Sequence, residues 1–215
     1  MPRLPTVAAA RIDASGEPFA SAAADGGLAT DAVLTMAHVP DIMRAYIGLW
    51  KAVMGTDRKV PRTLKWMVAH VASRSAGCPY WAIHAIRNAT MVEGSAFDRN
   101  KIAAIRDYER SPQFTEAEKA ALRVAWGAAA LPNDVTDADF HRLKTHFDTT
   151  EIVEILAVVA LFGFLARWTE TLKVELEPAV LDFAAKHNLD EYGLIPAPRL
   201  ARATAGQAGL SGPPR

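Results

Sequence analysis

The chain has 215 residues, half of them hydrophobic, with 24 Lys plus Arg balanced by 24 Asp plus Glu. That length and composition fit one globular domain with a substantial core. A formal net charge of zero removes the long-range field that would draw the chain to nucleic acid or to an anionic membrane, so small molecules and further copies of the chain are the expected partners.

Residues 1–30 are rich in Ala, Gly, Ser and Pro and carry the turn signals Ser15-Gly16 and Asp25-Gly26-Gly27, which predicts an extended or partly ordered arm, either wrapped on a neighbouring subunit or loose. The start Met1-Pro2-Arg3-Leu4-Pro5 does not read as a signal peptide, and the cytoplasm is the expected compartment. Residues 31–195 are expected to form one helical domain and 196–215 a flexible tail. After Pro40, residues 41–50 place apolar side chains at helical spacing, and Gly55 ends that helix. Pro61 opens the next, whose stripe Leu64, Met67, Val68, Val71 and Ala72 stops by Gly77. Cys78 then begins a partner helix that runs to about Val92, with Gly94 as its terminator, so the two segments form a hairpin with a thiol at its break. The basic residues Arg58, Lys59, Arg62 and Lys65 read as a solvated face.

Beyond Asn100, Ile102 and Ile105 lead to a polar joint at Ser111-Pro112. Thr115 with Glu118, and Thr136 with Asp139, have the spacing of capping boxes and start two further helices. Thr149 and Thr150 precede Glu151 and a long apolar helix through Leu172. Its most apolar part, residues 155–166, is twelve residues between Glu154 and Arg167, too short to cross a bilayer, and reads as a helix buried from most sides, partly against another subunit. Pro178 starts or bends a last helix near residues 180–187. Almost nothing alternates with period two, so the fold is predicted to be all-α.

The chemistry-bearing residues gather around the hairpin. With Cys78 as N-cap and Pro79 at the first helical position, the thiol faces the positive end of a helix, which lowers a thiol pKa; the alternative is a cysteine buried as a small hydrophobe. Trp81, His84 and Asn88 share one helical face beside Tyr80, and Trp66, His70 and Ser73 or Arg74 repeat the spacing on the preceding helix. The two strips together would make a pocket with indole walls, two imidazoles and a thiol. His84, and after it His70, are the candidate acid–base groups, while Trp66 and Trp81 are substrate walls or core packing. Cys78, His84 and His70 are of the right type for zinc or copper, yet a structural zinc takes four close ligands, and no metal is expected. Glu151/Glu154 and Glu170/Glu175/Glu177 fit solvation and helix-dipole pairing. There is no phosphate-binding glycine loop, nucleophile elbow or dinucleotide fingerprint, so no cofactor is implied.

The run Leu64-Lys65-Trp66-Met67, followed by Gly77-Cys78-Pro79-Tyr80-Trp81-Ala82-Ile83-His84 and then Ser111-Pro112-Gln113-Phe114-Thr115, resembles the carboxymuconolactone decarboxylase and AhpD-like alkylhydroperoxidase superfamily, in its longer, peroxidase-related members. The resemblance spans roughly residues 33–172. It implies a helical AhpD-like fold assembled as a dimer, trimer or hexamer. Redox members carry Cys-x-x-Cys followed by histidine, with a glutamate about twelve residues before the first cysteine. Cys78 and His84 match two of these positions, while Trp81 and Trp66 occupy the other two, so the motif reads as a degenerate Cys-x-x-Cys. The resemblance therefore implies a one-cysteine, thiol-dependent peroxidase acting on hydroperoxides, reduced by an external small thiol. The alternatives are a non-redox lyase or decarboxylase of a small organic acid or lactone that uses His84, and a non-catalytic binding or scaffold protein of the same fold.

Overall fold

The computed structural model describes residues 2–7, 30–92, 99–187 and 189. Most of the expected N-terminal arm, Gly94 and the expected C-terminal tail lie outside the described residues. The helices, in chain order, are α1 (Asp31–Met36), α2 (Pro40–Met54), α3 (Arg62–Ser75), α4 (Pro79–Met91), α5 (Arg99–Ala104), α6 (Glu116–Ala129), α7 (Asp137–Lys144), α8 (Thr149–Leu172) and α9 (Pro178–Lys186), with a 3-10 turn at Ile105–Asp107. Among the described residues there is no strand, as the missing two-residue period requires.

Local chemistry explains the starts. Proline stands in the first turn of α2, α4 and α9, where its missing N–H costs nothing. Thr115 and Thr136 each close a capping box, with Glu118 and Asp139. The long helix begins at Thr149, two residues before the expected start at Glu151, because Asp148 caps it and Glu151 returns the bond. That helix also corrects the length argument. The flanks Thr149 to Glu154 and Arg167 to Leu172 continue it to 24 residues, about 36 Å, which is enough to cross a membrane by length and composition. In this fold α8 instead lies against α2, α3, α4 and α6 as the central helix, while Val153 and Phe164 stay exposed on its outer side.

The hairpin α3/α4 packs face to face, with α6 and α8 on α3 and α9 on α4. Where α2, α3, α4 and α8 meet, Trp50, Trp66, Trp81 and Phe162 form one aromatic cluster with ring centroids 5.6–6.4 Å apart. Tilted and edge-on contacts of this kind add to the apolar burial that holds four helices together.

One residue of the expected basic face is buried. The Lys65 side chain has no exposure, donates to the Val53 carbonyl at 2.8 Å and meets Glu154 at 3.1 Å. Glu154 also accepts from the backbone N–H groups of Lys59 and Val60 at 3.2 and 3.1 Å, tying the α2–α3 connection to α8. The charge is tolerated there because carboxylate and carbonyl replace its water.

Candidate functional site

The break in the hairpin is a Schellman turn. The Gly77 N–H donates to the Arg74 carbonyl at 3.0 Å and the Cys78 N–H to the Ser73 carbonyl at 2.8 Å, closing the carbonyls that α3 leaves open. Gly77 takes φ = 70°, a conformation without steric cost only for glycine. This turn delivers Cys78, in extended conformation, as the N-cap of α4, with Pro79 behind it. The Cys78 side chain makes no capping hydrogen bond, is fully buried and is not in a disulfide.

On the same helix, Tyr80 and His84 are one turn apart, with ring centroids at 4.5 Å, and both reach a carboxylate from the far end of the chain. Glu177 caps the start of α9; its Oε2 lies 2.8 Å from His84 Nε2, and its Oε1 accepts from the Tyr80 hydroxyl at 2.5 Å and from the Asp31 backbone N–H at 2.9 Å. Burial alone would raise the Glu177 pKa, but His84, Tyr80 and the Asp31 amide override it and hold the carboxyl at about 2. An ionised carboxylate only accepts, so His84 donates through Nε2–H, and in the neutral ring Nδ1 keeps its lone pair as a base. Burial and the Glu177 charge push the Tyr80 phenol far up, and the same two causes raise Asp31, opposed by His84. The cluster is thus one ionised carboxylate surrounded by donors.

His70 has a different part. Its Nδ1–H donates to the Ala82 carbonyl at 2.9 Å, bracing α3 against α4, and burial pushes its pKa down to about 3, so the ring is neutral. Its Nε2, the Ser73 hydroxyl and both polar atoms of the Asn88 amide are buried without a partner. Asn88 lies one turn beyond His84 on the expected face. Trp66 and Trp81 sit in the aromatic cluster at 1 and 0 % exposure. The Trp81 indole N–H donates to Thr169 at 2.7 Å, and its ring lies 5.5 Å from that of His84. The structure therefore brings Tyr80, Trp81 and His84 together around Glu177, with Cys78 at the mouth of their helix, and puts Trp66 in the aromatic core.

Two readings from the sequence change. The segment is not a degenerate Cys-x-x-Cys, since Cys78 is the sole cysteine of the chain and no such motif is present; Trp81 is an anchored core residue bonded to α8. Glu177, read as a solvated helix-flank charge, is the carboxylate that holds His84. Its contacts span 93 and 97 residues, and the one local sign is its place before Pro178 at a helix start. Among the described residues no three His, Cys, Asp or Glu side chains are grouped to hold a metal ion.

Residues 40–126 match the Carboxymuconolactone decarboxylase family. The chain is 33% identical over 75 residues to the uncharacterised protein YnjA of Escherichia coli (strain K12); that match covers 35% of this chain and 41% of YnjA, less than half of its length. Among solved structures, the chain is similar to the debrominase Bmp8, determined alone and, as a cysteine-to-alanine variant, in complex with 2,3,4-tribromopyrrole. The complex gives a TM-score of 0.77 at 27% identity over 85% of this chain and 96% of that one. A peroxidase-related protein from Ralstonia eutropha JMP134, described as having an AhpD core, shares the fold with a TM-score of 0.69 at 22% identity over 83% of this chain and 94% of that one.

Proposed function

We propose that this chain is a member of the AhpD-like and carboxymuconolactone decarboxylase-like superfamily and a one-cysteine, thiol-dependent oxidoreductase. The observation that carries the proposal is that one helix, α4, bears Cys78 at its N-terminus and, six residues on, an imidazole oriented by the part-buried carboxylate of Glu177. In the proposed step the Cys78 sulfur, as thiolate, attacks the distal oxygen of an organic hydroperoxide. The S–O bond forms, the O–O bond breaks, and the leaving alkoxide takes the proton that His84 Nδ1 has accepted from the Cys78 thiol before the attack, giving an alcohol and a sulfenic acid while Nε2–H stays on Glu177. One external thiol then condenses with the sulfenic acid, releasing water, and a second frees Cys78 as the external disulfide departs. Glu177 is a positioning residue that acts through His84. Complete burial of Cys78 favours small reagents that enter during local opening.

The likeness to a debrominase, at a TM-score of 0.77, supports a second reading of the same site, with a halogenated aromatic as substrate. There Cys78 would take the bromine and a proton would replace it on the ring; two external thiols would then release bromide and regenerate Cys78.

The test is turnover in excess small thiol with cumene hydroperoxide in one arm and 2,3,4-tribromopyrrole in the other, followed by peroxide loss and bromide release. The expected result is turnover in one arm, abolished in Cys78→Ser and reduced about a hundredfold in His84→Gln. Unchanged turnover in Cys78→Ser contradicts the proposal. Inert wild-type protein in both arms contradicts it as well and returns the site to His84-based lyase chemistry or to binding.

A further inference from the structure

A second site shares no lining residue with the Glu177 cluster. The last turn of α3, the 3-10 turn with the adjoining Tyr108, and α6 enclose a cleft of about 320 Å³. Four guanidinium groups line it, those of Arg74, Arg106, Arg110 and Arg123, against the carboxylates of Asp107 and Glu109. In a chain of zero net charge this is a local excess of positive charge.

Four of those six charges are satisfied within the fold. Arg123 is held by Asp134 and Asp139, both at 3.2 Å and both outside the cleft lining. Asp107 faces Arg110 at 4.0 Å on the exposed rim. The Glu109 carboxylate lies against the Tyr108 phenol, which burial first and that charge second push up. Arg74 and Arg106 are left without a carboxylate among the described residues. Arg74 is half-buried, with its guanidinium over the Trp126 ring at 5.9 Å from the centroid, and Trp126 itself is 37% exposed. Burial and the Arg106 charge both disfavour the charged form of Arg74, yet a guanidinium stays protonated near neutral pH. Two cations facing one cleft beside an accessible indole are unfavourable together until an anion sits between them.

We propose that this cleft binds a small oxoanion, bridged by Arg74 and Arg106, with the body of the ligand against Trp126. Guanidinium groups present paired N–H donors that match the oxygens of a carboxylate or phosphate, and a planar apolar body gains contact with the exposed indole. The proposal stands apart from the redox reading, because it involves neither Cys78 nor His84.

The probes are sodium benzoate and inorganic phosphate, titrated separately into the full chain at low salt by calorimetry and by tryptophan fluorescence. Trp50, Trp66 and Trp81 are buried, so Trp126 is the accessible reporter among these four. The expected result is saturable one-site binding of at least one probe, weakened about tenfold or more in Arg106→Gln and in Arg74→Gln, and weakened again by 1 M sodium chloride. Arg106 is exposed, so its variant reads binding without a folding defect; circular dichroism checks the Arg74 variant. Benzoate binding that exceeds phosphate binding and falls in Trp126→Ala assigns an aryl carboxylate, and the reverse order assigns a phosphate. Absence of saturable binding by both probes, or binding indifferent to both arginine substitutions, overturns the proposal. Peroxide or bromide turnover fails only with Cys78 or His84, so the two proposals fail separately.

Discussion

Replacing Glu177 with glutamine tests whether the carboxylate, and not merely a polar group, organises the site. In the fold its pKa falls from the usual 4.5 to about 2, against the effect of burial, because His84, Tyr80 and the Asp31 amide all stabilise the ionised form. At about 1.4 kcal/mol per pKa unit, ionisation of Glu177 contributes on the order of 3 kcal/mol to stability at neutral pH. The sign follows from the direction of the shift. With a depressed folded pKa the contribution is fully present above about pH 4.5, declines as the unfolded chain takes up the proton, and is gone below about pH 2. By pH 3 less than half remains. Urea unfolding of wild type and Glu177→Gln should therefore show a gap of roughly 3 kcal/mol at pH 7 that narrows to about 1 kcal/mol at pH 3. A gap that is absent at pH 7, or that stays constant down to pH 3, would refute the reasoning.

Burial pushes His70 down to about 3 from the usual 6.5, so its contribution is complete above about pH 6.5 and is lost as acid moves through that window; unfolding midpoints of His70→Phe should fall less steeply than wild type between pH 6.5 and 4. Lys65→Met removes the charge opposite Glu154 and leaves that carboxylate only the Lys59 and Val60 backbone N–H groups, which should cost about 3 kcal/mol, while adding Glu154→Gln should recover part of the loss, as a double-mutant denaturation cycle would reveal. Gly77→Ala forces a Cβ into φ = 70° and should lower stability by about 1 kcal/mol, read as a shift in thermal midpoint, with no atom near enough to clash.

Sequence reading succeeds here wherever the determinant is local. The boxes at Thr115 and Thr136 need partners only three residues away, and Pro40, Pro79 and Pro178 announce helix starts through their own backbone chemistry. Gly77 marks the end of α3 and Cys78 the mouth of α4 for the same reason. The start of α8 is displaced by two residues because Asp148 and the two threonines after it are all competent caps, and the acid took the position. What sequence could not supply is pairing over distance. Lys65 and Glu154 look like surface charges until the 88 residues between them fold to bring them together. Glu177 looks like one of three carboxylates flanking a helix, and nothing near it in sequence points to Tyr80 or His84. Trp66 and Trp81 have helical spacing that suits a pocket wall and a core equally; the side chains that decide are Trp50 and Phe162, on other helices.

The most direct measurement is the rate at which one equivalent of cumene hydroperoxide adds an oxygen to Cys78, followed by intact mass in wild type and His84→Gln across pH 5 to 9. The account expects a single added oxygen on Cys78 in wild type, at least about a hundredfold faster than in the His84 variant. Equal rates in the two proteins, or a wild-type thiol that stays unoxidised while the peroxide persists, would contradict it.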